Sequence, residues 1–178
     1  MASLSEAAFR TGPFQVEVNG HRLTFPHLTA DRWIGVLGSD LAVVQLMGPE
    51  DFDRFLDLIE DGGLSVDDVP RISRKAISEA AGRPWWEAVR LAGSVFEPSG
   101  RVLGNLMLRG VRPETMTLAA YCASVWALLT RNADGTDLMK AEMQLSVPPP
   151  EAEDEDIVED GFEQAVRRAQ SAPGVRIG

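Results

Sequence analysis

Cysteine is almost missing from this chain, with Cys122 alone among 178 residues. No intrachain disulfide can form, and a lone cysteine in an apolar run fits a reducing compartment and a small buried hydrophobe. Histidine is nearly as scarce, with only His21 and His27. So few nitrogen and sulfur ligands leave no structural zinc site. His21 sits at a turn and His27 just after Pro26, without the partners that make a general base, so both read as surface or turn residues. No apolar run approaches the ~20 residues that span a bilayer. Residues 1–11 lack the basic start and apolar core of a signal peptide. Basic residues are the minority, 17 against 27 acidic, for a net charge of −10. They are not clustered, so nothing is placed to neutralise a phosphate backbone and nucleic acid is not an expected partner. No GxGxxG or GxxxxGK[ST] loop occurs, and the glycines read as helix ends. The acidic stretch near the C-terminus lacks the spaced ligands and glycine of a calcium loop. These absences leave no catalytic set, no metal site and no cofactor to name. The expectation is a non-enzymatic cytoplasmic protein, with no membrane contact, that works by binding other proteins.

What is present points to a mostly α fold with a short N-terminal β-hairpin. Residues 1–12 are small and polar and read as a flexible N-terminus. Phe14, Val16 and Val18 then alternate with polar residues, Asn19-Gly20 follows, and Leu23 and Phe25 continue the alternation. Asn-Gly suits a type I′ turn, because both central residues tolerate positive φ. A two-residue loop pairs Val16 with Leu23 and Phe14 with Phe25 on one apolar face. An isolated hairpin is marginal in water, so this face must pack on helices or pair with another copy of the chain.

Beyond Thr29 the chain reads as helices. Trp33, Ile34, Val36 and Leu37 mark the first. Leu41–Met47 is too short to classify by period. Pro49 suits a first helical position, with Phe52, Phe55, Leu56 and Ile59 on one face. Ser65 and Asp68 form an approximate capping box before Ile72, Ala76, Ile77 and Ala80, which Gly82 ends. A helix after Pro84 carries Trp85, Trp86, Val89, Ala92 and Phe96, and a short one carries Val102, Leu103 and Leu106. Thr117 caps the most apolar helix, with Leu118, Tyr121, Cys122, Val125, Trp126 and Leu129. A last core helix runs from Thr136 through Leu138, Ala141 and Leu145. The domain therefore spans 13–147. Residues 148–178 read as a Pro-rich linker and a disordered acidic tail, since seven of the ten residues from Glu151 to Asp160 are acidic. Within it, Phe162, Ala165, Val166 and Ala169 share one face of a possible short helix.

Two places invite a binding role. Trp85 shares a helical face with Val89, Ala92 and Phe96 and is assigned to the core. Trp86 shares a mixed face with Val89, Arg90 and Gly93, so it is expected near solvent or a groove, with Trp86 and Arg90 as a partner anchor. Core packing of both tryptophans is the plainer alternative. Phe162 and Val166 are the second candidate, against the plainer reading of a frayed tail.

The middle of the chain also resembles a known family. Gly82-Arg83-Pro84-Trp85-Trp86-Glu87-Ala88-Val89-Arg90-Leu91 and Leu108-Arg109-Gly110-Val111-Arg112-Pro113-Glu114-Thr115-Met116-Thr117-Leu118 are similar to signatures of tail assembly chaperones from long-tailed, siphovirus-type actinobacterial phages. In that family "LRGVDP" leads into a helix like Ala120–Thr130, so Arg112 stands here where the family has Asp. The order of hairpin, Leu28–Trp33 and helical body is similar too, over about residues 14–147. The resemblance implies binding of the tape measure protein or tail tube protein in the host cytoplasm before tail polymerisation. Many such chaperones exist in a short form and a longer frameshifted form, and this chain looks like the short one. A structural virion component, such as a head-tail connector or tail completion protein, is the alternative.

Overall fold

A computed structural model describes residues 7–8, 12–37, 39, 41, 44–93 and 101–152, with the backbone alone for 101–103. The described chain is mostly helical, with one antiparallel hairpin at its start. Strands β1 (Phe14–Val18) and β2 (His21–Phe25) pair Phe14 with Phe25, Val16 with Leu23 and Val18 with His21. Asn19 and Gly20 take φ of 52° and 79°, the left-handed values that a type I′ turn needs. The alternating side chains Phe14, Val16, Val18, Leu23 and Phe25 are all buried.

Helices follow as α1 (Ala30–Ile34), α2 (Pro49–Glu60), α3 (Val69–Ala81), α4 (Trp85–Gly93), α5 (Arg101–Leu108), α6 (Leu118–Leu129) and α7 (Gly135–Ser146). The stretch that resisted classification forms a short 3-10 turn, Val44–Leu46. α3 is the hub, packing on β1, α4 and α6, while α2 packs on β2. Its inward face repeats at helical spacing through Val69, Ile72, Ala76, Ile77 and Ala80, all buried. α6 lies beneath α1, α3, α4 and α5. Its Leu118, Tyr121, Cys122 and Val125 are almost fully enclosed. Burying each large side chain of this kind contributes roughly 1.5–3 kcal/mol.

Helix starts follow the sequence signals. Pro49 opens α2. Ser65 and Asp68 complete the capping box ahead of α3, with the Ser65 N–H donating to Asp68 at 2.8 Å. The Thr117 hydroxyl accepts from the Ala120 N–H at 3.1 Å. α7 is capped by Asp134 rather than opened by Thr136, its carboxylate accepting from both Thr136 and Asp137 N–H at 2.9 Å.

The hairpin is tied down as well as packed. Arg71 bridges the Asn19 side chain and Asp68, and Asn19 donates to Asp68 at 3.1 Å. The Asp68 carboxyl is held below its ordinary range, first by the Ser65 N–H and then by Arg71 and Asn19.

Several expectations are corrected. Residues 1–12 are not wholly loose, because Ala7 is buried and the Ala8 carbonyl accepts from the Thr117 hydroxyl at 3.1 Å. The described chain also passes the boundary set at 147. Pro150–Ala152 forms a 3-10 turn, Ala152 is fully buried, and Arg74 donates to the Glu151 carbonyl at 3.0 Å. Rigid prolines here deliver the chain onto the body instead of holding it away. Leu56 is exposed, since Phe55 alone on α2 reaches full burial. α7 is less of a core helix than expected, with Leu145 its sole fully buried residue. The acidic run from Glu153 and the Phe162 segment lie outside the described residues.

Candidate partner-binding groove

The two candidate tryptophans exchange places relative to the sequence expectation. Gly82 ends α3 in the left-handed region with φ of 60°, and the chain turns at once into buried Pro84. The inward face of α4 is then set by Pro84, Glu87, Ala88 and Leu91, at offsets of three, four and seven. A charged residue belongs to that face because Arg83 neutralises it, with Arg83 Nη1 3.4 Å from Glu87 Oε2 and both side chains almost fully buried. Trp86 is 3% exposed and belongs to the core. Trp85 is the half-buried one, edge-on to Trp86 at 6.0 Å, with the Arg74 guanidinium 4.9 Å from its ring centre. The alignment of Trp85 with Val89 and Ala92 left Glu87 out of the inward face, to which it belongs.

Arg90 is exposed, but its guanidinium is engaged. Nη1 donates to the carbonyls of Gln144, Leu145 and Val147 at 3.1, 2.8 and 2.6 Å. Those carbonyls lie at the C-terminal end of α7, where intrahelical donors run out and a cation is favoured. Arg90 thus pins α7 to α4. Phe162 and Val166 lie outside the described residues.

That pin creates the feature sequence reading missed. α4, α6 and α7 enclose an open groove of about 560 Å³. Leu91 and Leu145 form its floor, Trp126 and Leu129 from α6 and Ala141 from α7 line it, and Arg90 and Asp137 stand at its two ends. Leu129 is 47% exposed although it lies on the most apolar helix. The available signal was the distribution of apolar residues around α6. Leu118, Tyr121, Cys122 and Val125 already fill the inner face, so Trp126 packs half-buried at the edge of the core and Leu129 stays exposed. On the far side of α7, Met139, Met143 and Val147 are spaced by four and exposed, forming a separate outward stripe.

Titratable groups near this region are positioned for packing. Burial pushes the Cys122 thiol up to about 12, with Arg83 opposing and Glu87 adding to the shift. Burial likewise raises Tyr121 to about 12. A thiol that holds its proton this firmly is a poor nucleophile and metal ligand. His21 packs beside Gly63 and His27 lies by the small space next to Trp33, distant in sequence from Cys122. Among the described residues no three His, Cys, Asp or Glu side chains group as metal ligands, and no helix is long and apolar enough to cross a membrane. No protein-family model, curated protein or solved structure matches the chain.

Proposed function

We infer that this chain is a tail assembly chaperone. It binds an apolar helical segment of the tape measure protein or tail tube protein in the host cytoplasm and keeps it soluble until the tail polymerises. The observation that carries this reading is the α4–α6–α7 groove. It combines buried apolar Leu91 and Leu145, exposed Leu129 and the charged residues Arg90 and Asp137 in one lining, an arrangement suited to one amphipathic helix. The resemblance of the Gly82–Leu91 and Leu108–Leu118 segments supplies the client class. The net charge of −10 supports solubility of a complex with an aggregation-prone partner. The work is reversible binding, and no covalent chemistry is assigned to the chain.

Co-expression with the tape measure and tail tube proteins of the same genome tests this. One of them should move into the soluble fraction and co-purify, while purified virions should lack the chain. Clients that stay insoluble beside it, or a fixed copy number in finished particles, would contradict the reading. The second result would favour a structural connector.

A further inference from the structure

We propose that the occupant of the groove is a cationic amphipathic helix, with an apolar face for Leu91, Leu129 and Leu145 and a lysine or arginine that reaches Asp137. This rests on the reading of the groove as a helix seat and adds the charge of what fills it. Among the described residues lining the groove, Arg90 is the one cation and Asp137 the one carboxylate. The two differ in what they have left to offer. Arg90 already donates to the carbonyls of Gln144, Leu145 and Val147. These lie at the negative end of α7, so its charge is offset within the fold. The Asp137 side chain is 63% exposed, and Lys140 Nζ approaches it only at 3.9 Å from a side chain that is itself 66% exposed. So loose a surface pair is worth little and yields to a better-placed cation.

The backbone around Asp137 reinforces its sign. α6 ends at this end of the groove, where Thr130, Asn132 and Ala133 join the lining, and its last turn carries no basic residue. A helix C-terminus holds roughly half a negative charge. α7 begins here with the opposite partial charge, but Asp134 caps it, accepting from Thr136 and Asp137 N–H at 2.9 Å. Arg131 and Lys140 are the nearest cations along the chain, and neither lines the groove. The net charge of −10 draws a basic partner from a distance and repels an acidic one. A lysine therefore belongs at the end of the occupant beside Asp137. A carboxylate at the other end would compete with three α7 carbonyls for Arg90.

Designed helical peptides of about 15 residues test this by fluorescence anisotropy on the full chain. They share one leucine face and carry lysine, glutamine or glutamate on its flanks. The lysine peptide should bind roughly tenfold tighter than the glutamate peptide, with glutamine between, and the gap should narrow in ~1 M salt. Asp137→Asn should weaken the lysine peptide about threefold and leave the glutamine peptide unchanged. Asp57→Asn removes the same charge from the exposed face of α2, outside the groove, and should leave all three unchanged. An equal loss from Asp57→Asn would mean that net charge alone sets the preference, and would overturn the proposal. Equal affinity for the three peptides, all lost on Leu129→Asp, would overturn the cationic occupant while the groove still takes a helix. Failure of all three to bind, or binding that survives Leu129→Asp, would overturn the helix seat itself.

Discussion

Two apolar faces of this chain meet different fates. The hairpin face is covered by α3 and α2, and its turn is tied to Asp68 and Arg71. The face between α4, α6 and α7 holds Trp126, Leu129 and Ala141 and is left open by the described residues. An apolar face covered by its own chain contributes to folding. One left uncovered contributes little to folding and is available to a partner. Arg90 makes the second face possible, since it holds α7 by its C-terminal carbonyls without closing the space between the helices.

The comparison breaks most visibly if the covered side tolerates truncation. Phe25→Ala and Trp86→Ala should each cost about 3–5 kcal/mol in denaturant unfolding, as for buried large aromatics. Glu87→Ala should cost a similar amount, about 3–5 kcal/mol, because it strips a buried guanidinium of its carboxylate. Trp85→Ala should cost less, since it loses a half-buried ring and a cation–π contact of about 0.5–2 kcal/mol. On the open side, Leu129→Asp should shift stability by no more than about 0.5 kcal/mol. If Leu129→Asp unfolds the protein as badly as Phe25→Ala, the groove is core and the distinction is lost.

Legibility in the sequence divides along the same line. The hairpin was readable to the register because Asn19-Gly20 fixes the turn and strict alternation fixes the face. The α3 cap was readable because Ser65 and Asp68 act within three residues. These are local signals. The rotation of α4 was not readable, because it depends on Arg83 and Glu87 neutralising each other inside the core. The docking of Ala7 and Ala152 was hidden because small residues in polar or Pro-rich surroundings carry no periodicity. The groove arises where three helices meet around Arg90, and a guanidinium capping another helix leaves no pattern along the chain. Leu129 and Trp126 carried part of the signal, as apolar residues in excess of what one helix face can bury.

Two pH ranges sharpen the contrast further. Cys122 and Tyr121 rise from ordinary values of 9.0 and 10.0 to about 12 on burial. Raised values mean that their contribution is intact below pH 9 and is lost as pH climbs towards 12. Unfolding free energy followed through that range should fall, and Cys122→Ala should remove part of the fall. A smaller effect belongs to the turn. Asp68 is held below its ordinary 3.8, so its contribution is present above that pH and is lost on acidification through its lower folded value. Asp68→Asn should flatten this acid dependence. Ser65→Ala should cost about 1 kcal/mol, a melting shift of roughly 2–4 °C.

The most direct test places one charge on each side of the same region. The affinity of the co-purifying client should be measured for the unaltered chain, for Leu129→Asp in the groove and for Met143→Asp on the outward stripe of α7. The account predicts that Leu129→Asp weakens binding at least about tenfold, or ~1.4 kcal/mol, while Met143→Asp leaves it nearly unchanged. Loss of binding with Met143→Asp and none with Leu129→Asp would place the partner on the outer face of α7 and contradict the groove.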